Sequence, residues 1–392
     1  MLDAVVLGLG AVGAATVHAL AVRGAKVLGI DRYSPPHGLG SSHGDTRITR
    51  AAIGEGAQYT PLALRSHEIW RSLEAQAGEE LFAATGLLII SSPARKATTH
   101  VANFFENTLE AARRFGIAHE LLDAAAIRKR FPQFNVADNE VGYFEPGAGF
   151  LRAEACVRAQ LAAAERAGAG LHRDERVEGF YEDGGTVHVH TDRGDYRARQ
   201  LVLAAGAWLP RFLEPELARH FTITRQALFW FAIEAPLADF APPCFPAWIW
   251  ELQDRQHVIY GFPAIDGASG GAKVATEQYE RTTDAECVDR EVSTQECDAM
   301  HRTLVAGHLP RLGPRCVKAV SCLYTATRDF HFVLDRHPRH ANVIIASPCS
   351  GHGFKHSPAI GELVADMIER KTPAIDIGGF RLGRLAGPAR LS

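Results

Sequence analysis

What the 392-residue chain lacks narrows its class before any motif is found. It has seven cysteines, at 156, 244, 287, 297, 316, 322 and 349, and no two of them make a C-x-x-C pair. In a chain of this length, an odd number so spaced predicts neither a disulfide framework nor a zinc site. A reducing, cytoplasmic setting fits that usage. No stretch offers the eighteen or so uninterrupted apolar residues of a membrane span. The apolar opening MLDAVVLGLGAVGAATVHALAV has Asp3 where a secretory signal would be basic, and glycines break it. The ending GPARLS is not the S-K-L peroxisomal address. A one-sided charge is also missing: the formal net charge is −3, with Lys and Arg scattered. That pattern carries no electrostatic footprint for nucleic acid or an anionic lipid surface. Internal repeats and low-complexity tracts are absent too, and the length predicts two domains.

What is present begins at the first residues. DAVVLGLGAVGAATVHALAVRGAKVLGIDR reads as strand, glycine turn, helix and second strand. Ala4 to Leu7 is the short apolar run of a buried parallel strand. Gly8, Gly10 and Gly13 follow at G-x-G-x-x-G spacing. The first permits the turn, the second lets a pyrophosphate approach backbone N–H groups, and the third lets helix pack on strand. The helix N-terminus adds partial positive charge for the phosphates. The second strand ends in Asp31, 23 residues on from Gly8, where a carboxylate accepts hydrogen bonds from a ribose 2′-OH. The motif alone leaves NAD and FAD open.

Further along, residues 101–117 and 153–169 carry helical periodicity. RVEGFYEDGGTVHVHTDRGDYRARQLVLAAGAW alternates like a β-meander with a Gly-Gly turn and closes on Gly206. TITRQALFWFAIEA and QHVIYGFPAI read as strands of a second sheet. ANVIIAS is a short buried strand, and a glycine loop opening a helix follows it. Nucleotide-type segments thus stand at the start, middle and end of the chain, with antiparallel-type segments between them.

Four stretches occur in order: SSHGDTRITR (41–50), GFP (261–263) before an isolated Lys273, SCLYT (321–325) and SGHGFKHSPAIGEL (350–363). Together with YTPLALRSHEIW and FEPGAGFLRAEACVRA, they make the chain resemble the monomeric sarcosine oxidase and N-methyl-tryptophan oxidase family. These are FAD enzymes with a D-amino-acid-oxidase-like fold. The resemblance implies an α/β (α+β) architecture: a Rossmann-like FAD-binding domain from 1–80, 146–218 and 329–392, and a mixed-sheet substrate domain from 81–145 and 219–328. It implies FAD attached covalently through Cys322, although a lone strand cysteine is by general chemistry a small core hydrophobe. Cys349 reads as packing.

The resemblance also implies site residues. Gly8, Gly10, Val12, Gly13, Asp31 and Arg32 would hold the nucleotide. Ser41, His43, Arg47, Gly206, Trp208, Cys322, Gly351, Gly353, Phe354 and Lys355 would surround the rest of the cofactor. Arg50 and Lys355 would grip the substrate carboxylate. Each charge-assisted contact contributes roughly 1.5–3 kcal/mol, so the two give about a 10²- to 10⁴-fold preference for amino acids over bare amines. Arg47 would stabilise negative charge on the flavin, and His43 would hydrogen-bond substrate or ring. Lys273, which reads as part of a glycine-rich loop, would activate oxygen. A cation about 4 Å away contributes up to ~4 kcal/mol at an effective dielectric near 20. Tyr260 and Tyr324 would line the substrate cavity.

The implied activity is oxidation of a secondary amino acid, N-methyl or cyclic, to an imine, with O₂ reduced to H₂O₂ by a monomer without bound metal. A dehydrogenase of the same fold, or a non-catalytic nucleotide-binding protein, are the rival readings; Lys273 favours the oxidase. Three departures surround the expected pocket. Glu277 stands where the family has histidine four residues after the lysine, the loop AIDGASGGAK is long, and Pro348 and Cys349 replace small and aromatic residues. They leave the substrate's side chain open. Trp248 and Trp250 are expected to make room for, or fill, a side-chain pocket.

Overall fold

A computed structural model describes residues 1–95, 101–253 and 257–386. Gln256, the first residue of the expected strand QHVIYGFPAI, and the C-terminal GPARLS lie outside the described residues.

Two eight-stranded sheets organise the chain. In the first, strand Leu2–Leu7 lies between Val27–Ile30 and Asp195–Leu203, parallel to both. Val343–Ser347 continues the parallel set beyond Asp195–Leu203, and Gly170–His172 extends it beyond Val27–Ile30. The unbroken apolar run from Ala4 to Leu7 is required because both faces of the sheet are covered. On one side lie helices Ala11–Val22 and Ser357–Ile368, through Val17, Leu20, Ile360 and Val364; on the other lie Trp208, Leu209 and Phe221. The expected meander is present as Val177–Asp183, Thr186–Thr191 and Asp195–Leu203. Gly184 and Gly185 make its first turn, both at positive φ.

The second sheet is mixed. The long strand Leu312–Ala326 pairs antiparallel with Thr222–Ile233, which pairs with Ala272–Thr276, and the order continues through Val258–Gly261 and Ala247–Glu251. Ala247–Glu251 then runs parallel to Leu87–Ser91. Side chains alternate across a strand, and the register aligns one face: Leu228 and Trp230, Ala275, Tyr260, Cys322 and Tyr324 pack together on it. The other face buries Phe231, Trp248 and Trp250 in the largest apolar cluster. A third, three-stranded sheet joins Thr46–Thr49 to Gly149–Arg152 and Phe82–Ala83. It carries Arg47, with Arg50 immediately after, to the junction of the two large sheets.

Lys273 corrects the sequence expectation. It lies on strand Ala272–Thr276 rather than in a loop, paired with Trp230, and is 3% exposed. Trp248 and Trp250 are also corrected. Both are buried in the core, and Trp250 donates to Glu140 Oε1 at 2.7 Å. The intervening Ile249 faces the cavity instead, because AWIWE is apolar on both faces of its strand and its phase is set by neighbours.

Candidate active site

One cavity of about 550 Å³ runs from the glycine turn to the aligned face of the second sheet. At its first end, strand Leu2–Leu7 turns sharply into helix Ala11–Val22. Gly8 has φ +90°, and a Cβ there would lie 2.5 Å from the Ala204 carbonyl oxygen. Gly13 does not line the cavity; a Cβ on it would fall 1.7 Å from the Gly8 carbonyl oxygen, so its role is close packing of helix on turn. Gly8, Gly10, Val12, Asp31 and Arg32 do line it. Asp31 accepts from the Leu9 N–H at 2.7 Å and the Tyr33 N–H at 2.9 Å, which fixes the carboxylate at the strand end. Arg32 lies over the rings of Tyr33 and Trp208 and bonds Glu286, which also accepts from Trp208 Nε1 at 3.0 Å.

The middle of the cavity is built by loop 41–47. Ser41 Oγ donates to the Leu323 carbonyl at 2.5 Å, which ties the loop to the residue beside Cys322. Arg47 donates to the carbonyls of Ser41 (2.7 Å) and Thr46 (2.8 Å). Lys273 Nζ reaches the carbonyls of Gly44 at 2.7 Å and Thr46 at 3.0 Å. Glu154 accepts the Gly44 N–H at 2.7 Å. Burial, and then Arg47, hold the Lys273 amine well below an ordinary lysine. His43 is buried behind this wall and does not line the cavity. Burial, with Arg47 and Lys273 adding to it, pushes its imidazole down to about 3, so the ring is neutral. Cys322 lines the cavity at 2% exposure. Burial raises its thiol pKa, while Arg47 and Lys273 oppose the rise.

Arg50, Lys355, Tyr260 and Tyr324 converge at the far end, with Gly351, Gly353 and Phe354 beside them. The tyrosine hydroxyls are 3.5 Å apart. Arg50 and Lys355 are 2% and 4% exposed. Between them stands Glu55, which the sequence reading missed: Oε2 is 2.5 Å from Arg50 Nη2 and Oε1 is 3.9 Å from Lys355 Nζ. Lys355 also donates to the His352 carbonyl at 2.8 Å. Burial lowers its pKa to about 7 against the opposing pull of Glu55. A second missed acid, Glu145, accepts from the Ala51 N–H (2.7 Å), the Ala52 N–H (3.2 Å) and the Tyr143 hydroxyl (2.8 Å). It pins the chain directly after Arg50.

Cys349 corrects the expectation of simple packing. It lines the cavity, and its Sγ accepts from the Thr325 N–H at 3.3 Å. The turn through Ser350 and Gly351, both at positive φ, swings it inward.

The donor set fits a flavin dinucleotide. The glycine turn and helix start would suit a pyrophosphate and Asp31 a ribose, and Cys322 stands with Arg47 and Lys273 farther along the same cavity. The comparisons agree. The family model described as "DAO: FAD dependent oxidoreductase" matches residues 3–367. The chain is 41% identical to a monomeric sarcosine oxidase of Streptomyces avermitilis, over 98% of each chain. It is 34% identical to an N-methyl-L-tryptophan oxidase of Citrobacter koseri, over 97% of this chain and 98% of that one. Among solved structures, NikD, an unusual amino acid oxidase essential for nikkomycin biosynthesis, superposes in its open form with a TM-score of 0.83. That match has 25% identity and covers 97% of each chain.

Proposed function

Because the chain belongs to the FAD-dependent oxidoreductases, and within them to the monomeric sarcosine oxidase and N-methyl-L-tryptophan oxidase family, we propose that it oxidises a secondary amino acid to an imine as a monomer, with O₂ as the final acceptor. The observation that carries this reading is the single cavity in which the glycine turn, Cys322 and the Arg50–Lys355 pair all meet.

Bound FAD would supply the hydride acceptor, and O₂ would then take the two electrons as H₂O₂. Gly8, Gly10, Val12, Asp31 and Arg32 would hold its dinucleotide end. Ser41, Arg47, Gly206, Trp208, Gly351, Gly353 and Phe354 would enclose the rest, with Cys322 as the point of covalent attachment. Gly13 serves the same site through the turn it packs on, and His43 by backing loop 41–47.

Arg50 and Lys355 orient the substrate through its carboxylate, so that the carbon beside the nitrogen is presented rather than a side chain. Tyr260 and Tyr324 close the cavity above it and exclude water. Arg47 places a permanent positive charge where negative charge develops. Lys273, wedged against two carbonyls, presents an amine beside Cys322 where oxygen must be met. We take 1–80, 146–218 and 329–392 as the FAD domain and 81–145 and 219–328 as the substrate domain. The strands of the first large sheet fall in the former set and those of the second in the latter.

The test is direct. Purified protein should be yellow, bleach anaerobically with an N-methyl or cyclic amino acid, and form H₂O₂ when air is admitted. A flavin spectrum unmoved by every such compound would remove the reading.

A further inference from the structure

The proposed reaction fixes the carboxylate and the nitrogen of the substrate but leaves its side chain open. The wall opposite the glycine turn bears on that question. Strand Ala272–Thr276 alternates, so Lys273, Ala275 and the next residue in phase, Glu277, share the cavity face, and both Lys273 and Glu277 line the cavity. Ala275 is in register with Tyr260, placing Glu277 beyond that ring. Glu277 shares the cavity lining with Tyr260, Tyr324 and Lys355. Tyr260 and Tyr324 line the cavity and meet through their hydroxyls at 3.5 Å, while Tyr279, off the cavity wall, packs against Tyr324 with ring centroids 6.0 Å apart. The site therefore sets a carboxylate against a wall of aromatic rings, within the same cavity that grips a carboxylate at Arg50 and Lys355.

That combination suits a positive charge. Aromatic faces attract cations, and a carboxylate adds a charge-assisted hydrogen bond. An anionic side chain would instead meet like charge. We propose that Glu277 selects secondary amino acids whose side chain ends in a cationic group, such as an Nα-alkylated diamino acid. The inference rests on the oxidase reading and adds a ranking to it: cationic above neutral above anionic.

The experiment compares kcat/KM for Nα-methyl-L-lysine, N-methyl-L-norleucine and N-methyl-L-glutamate, with sarcosine alongside. Anaerobic titration of the flavin absorbance gives binding separately from turnover. One charge-assisted hydrogen bond corresponds to a preference of about 10- to 100-fold for the lysine derivative over the norleucine one. Glu277→Gln should shrink that ratio at least tenfold. Glu277→Lys should shift preference toward the glutamate derivative, and retained flavin content reports that each variant is folded. If the wild type treats the lysine and norleucine derivatives alike, or Glu277→Gln keeps the ratio, the selection by Glu277 is overturned even though sarcosine is oxidised. If none of the four bleaches the flavin, this inference falls, and the oxidase reading falls with it when cyclic amino acids fail as well.

Discussion

Glu55 holds Arg50 at 2.5 Å while its other oxygen faces Lys355 at 3.9 Å. One buried acid therefore faces both cations of the carboxylate grip, so it balances one charge and leaves the site net positive while Lys355 is protonated. That remaining positive charge is what an incoming carboxylate would meet.

Arg50→Met tests the grip. Loss of one of the two charge-assisted contacts, at roughly 1.5–3 kcal/mol, should raise KM for amino-acid substrates about 10- to 100-fold. Secondary amines without a carboxylate should change far less. Equal losses for both compound classes would place Arg50 in a structural role.

The Lys355 amine, lowered to about 7 by burial, makes the grip pH-sensitive. Its charge is present below that value and is lost above it, so carboxylate binding should weaken as pH rises through about 7. A non-oxidisable acid, titrated by flavin difference spectra from pH 6 to 9, reads this directly. Lys355→Arg should flatten the curve, since guanidinium stays charged throughout.

Cys322→Ser tests the attachment. Wild-type protein precipitated with acid should keep its yellow pigment, and the variant should release it. Pigment retained by the variant would redirect attention to Cys349, the other thiol on the cavity wall.

The contrast between these residues shows what the sequence makes legible. The glycine turn is written locally: each glycine answers a backbone requirement within a few residues, and Gly8 at φ +90° meets it. Arg47, Arg50, Cys322 and Lys355 were legible because they sit in short family stretches, and all four reach one cavity. Glu55, Glu145 and Glu286 were not. An acid that satisfies a buried cation or a loop's N–H groups is defined by contact across the fold, and Glu145 meets Ala51 from 94 residues away. The phase of AWIWE was hidden for a related reason. Apolar residues on both faces of a strand do not say which face meets a cavity.

Lys273 invites a separation of two half-reactions. It is buried on its strand, with Nζ against the carbonyls of Gly44 and Thr46, so it also braces the loop that carries Arg47. Lys273→Met should slow reoxidation by O₂ up to about a thousandfold, from the loss of ~4 kcal/mol of electrostatic assistance. Anaerobic reduction by substrate should fall much less. Stopped-flow measurement of each half distinguishes the outcomes. Equal slowing of both halves would make Lys273 a brace for the loop alone.

Glu145 is the residue whose effect should appear far from where it sits. Its carboxylate is 2% exposed and accepts three hydrogen bonds, two of them from the N–H groups that follow Arg50. Burial raises its pKa, and those N–H groups oppose the rise. Glu145→Ala strands two buried donors at about 1–3 kcal/mol each, so thermal stability should fall by several degrees. The freed chain also carries Arg50 and Glu55, so KM for amino acids should rise alongside. Glu145→Gln keeps one carbonyl acceptor and should recover part of both losses. A variant that loses stability yet keeps KM would show that the Arg50 grip is set by Glu55 and not by the anchor behind it.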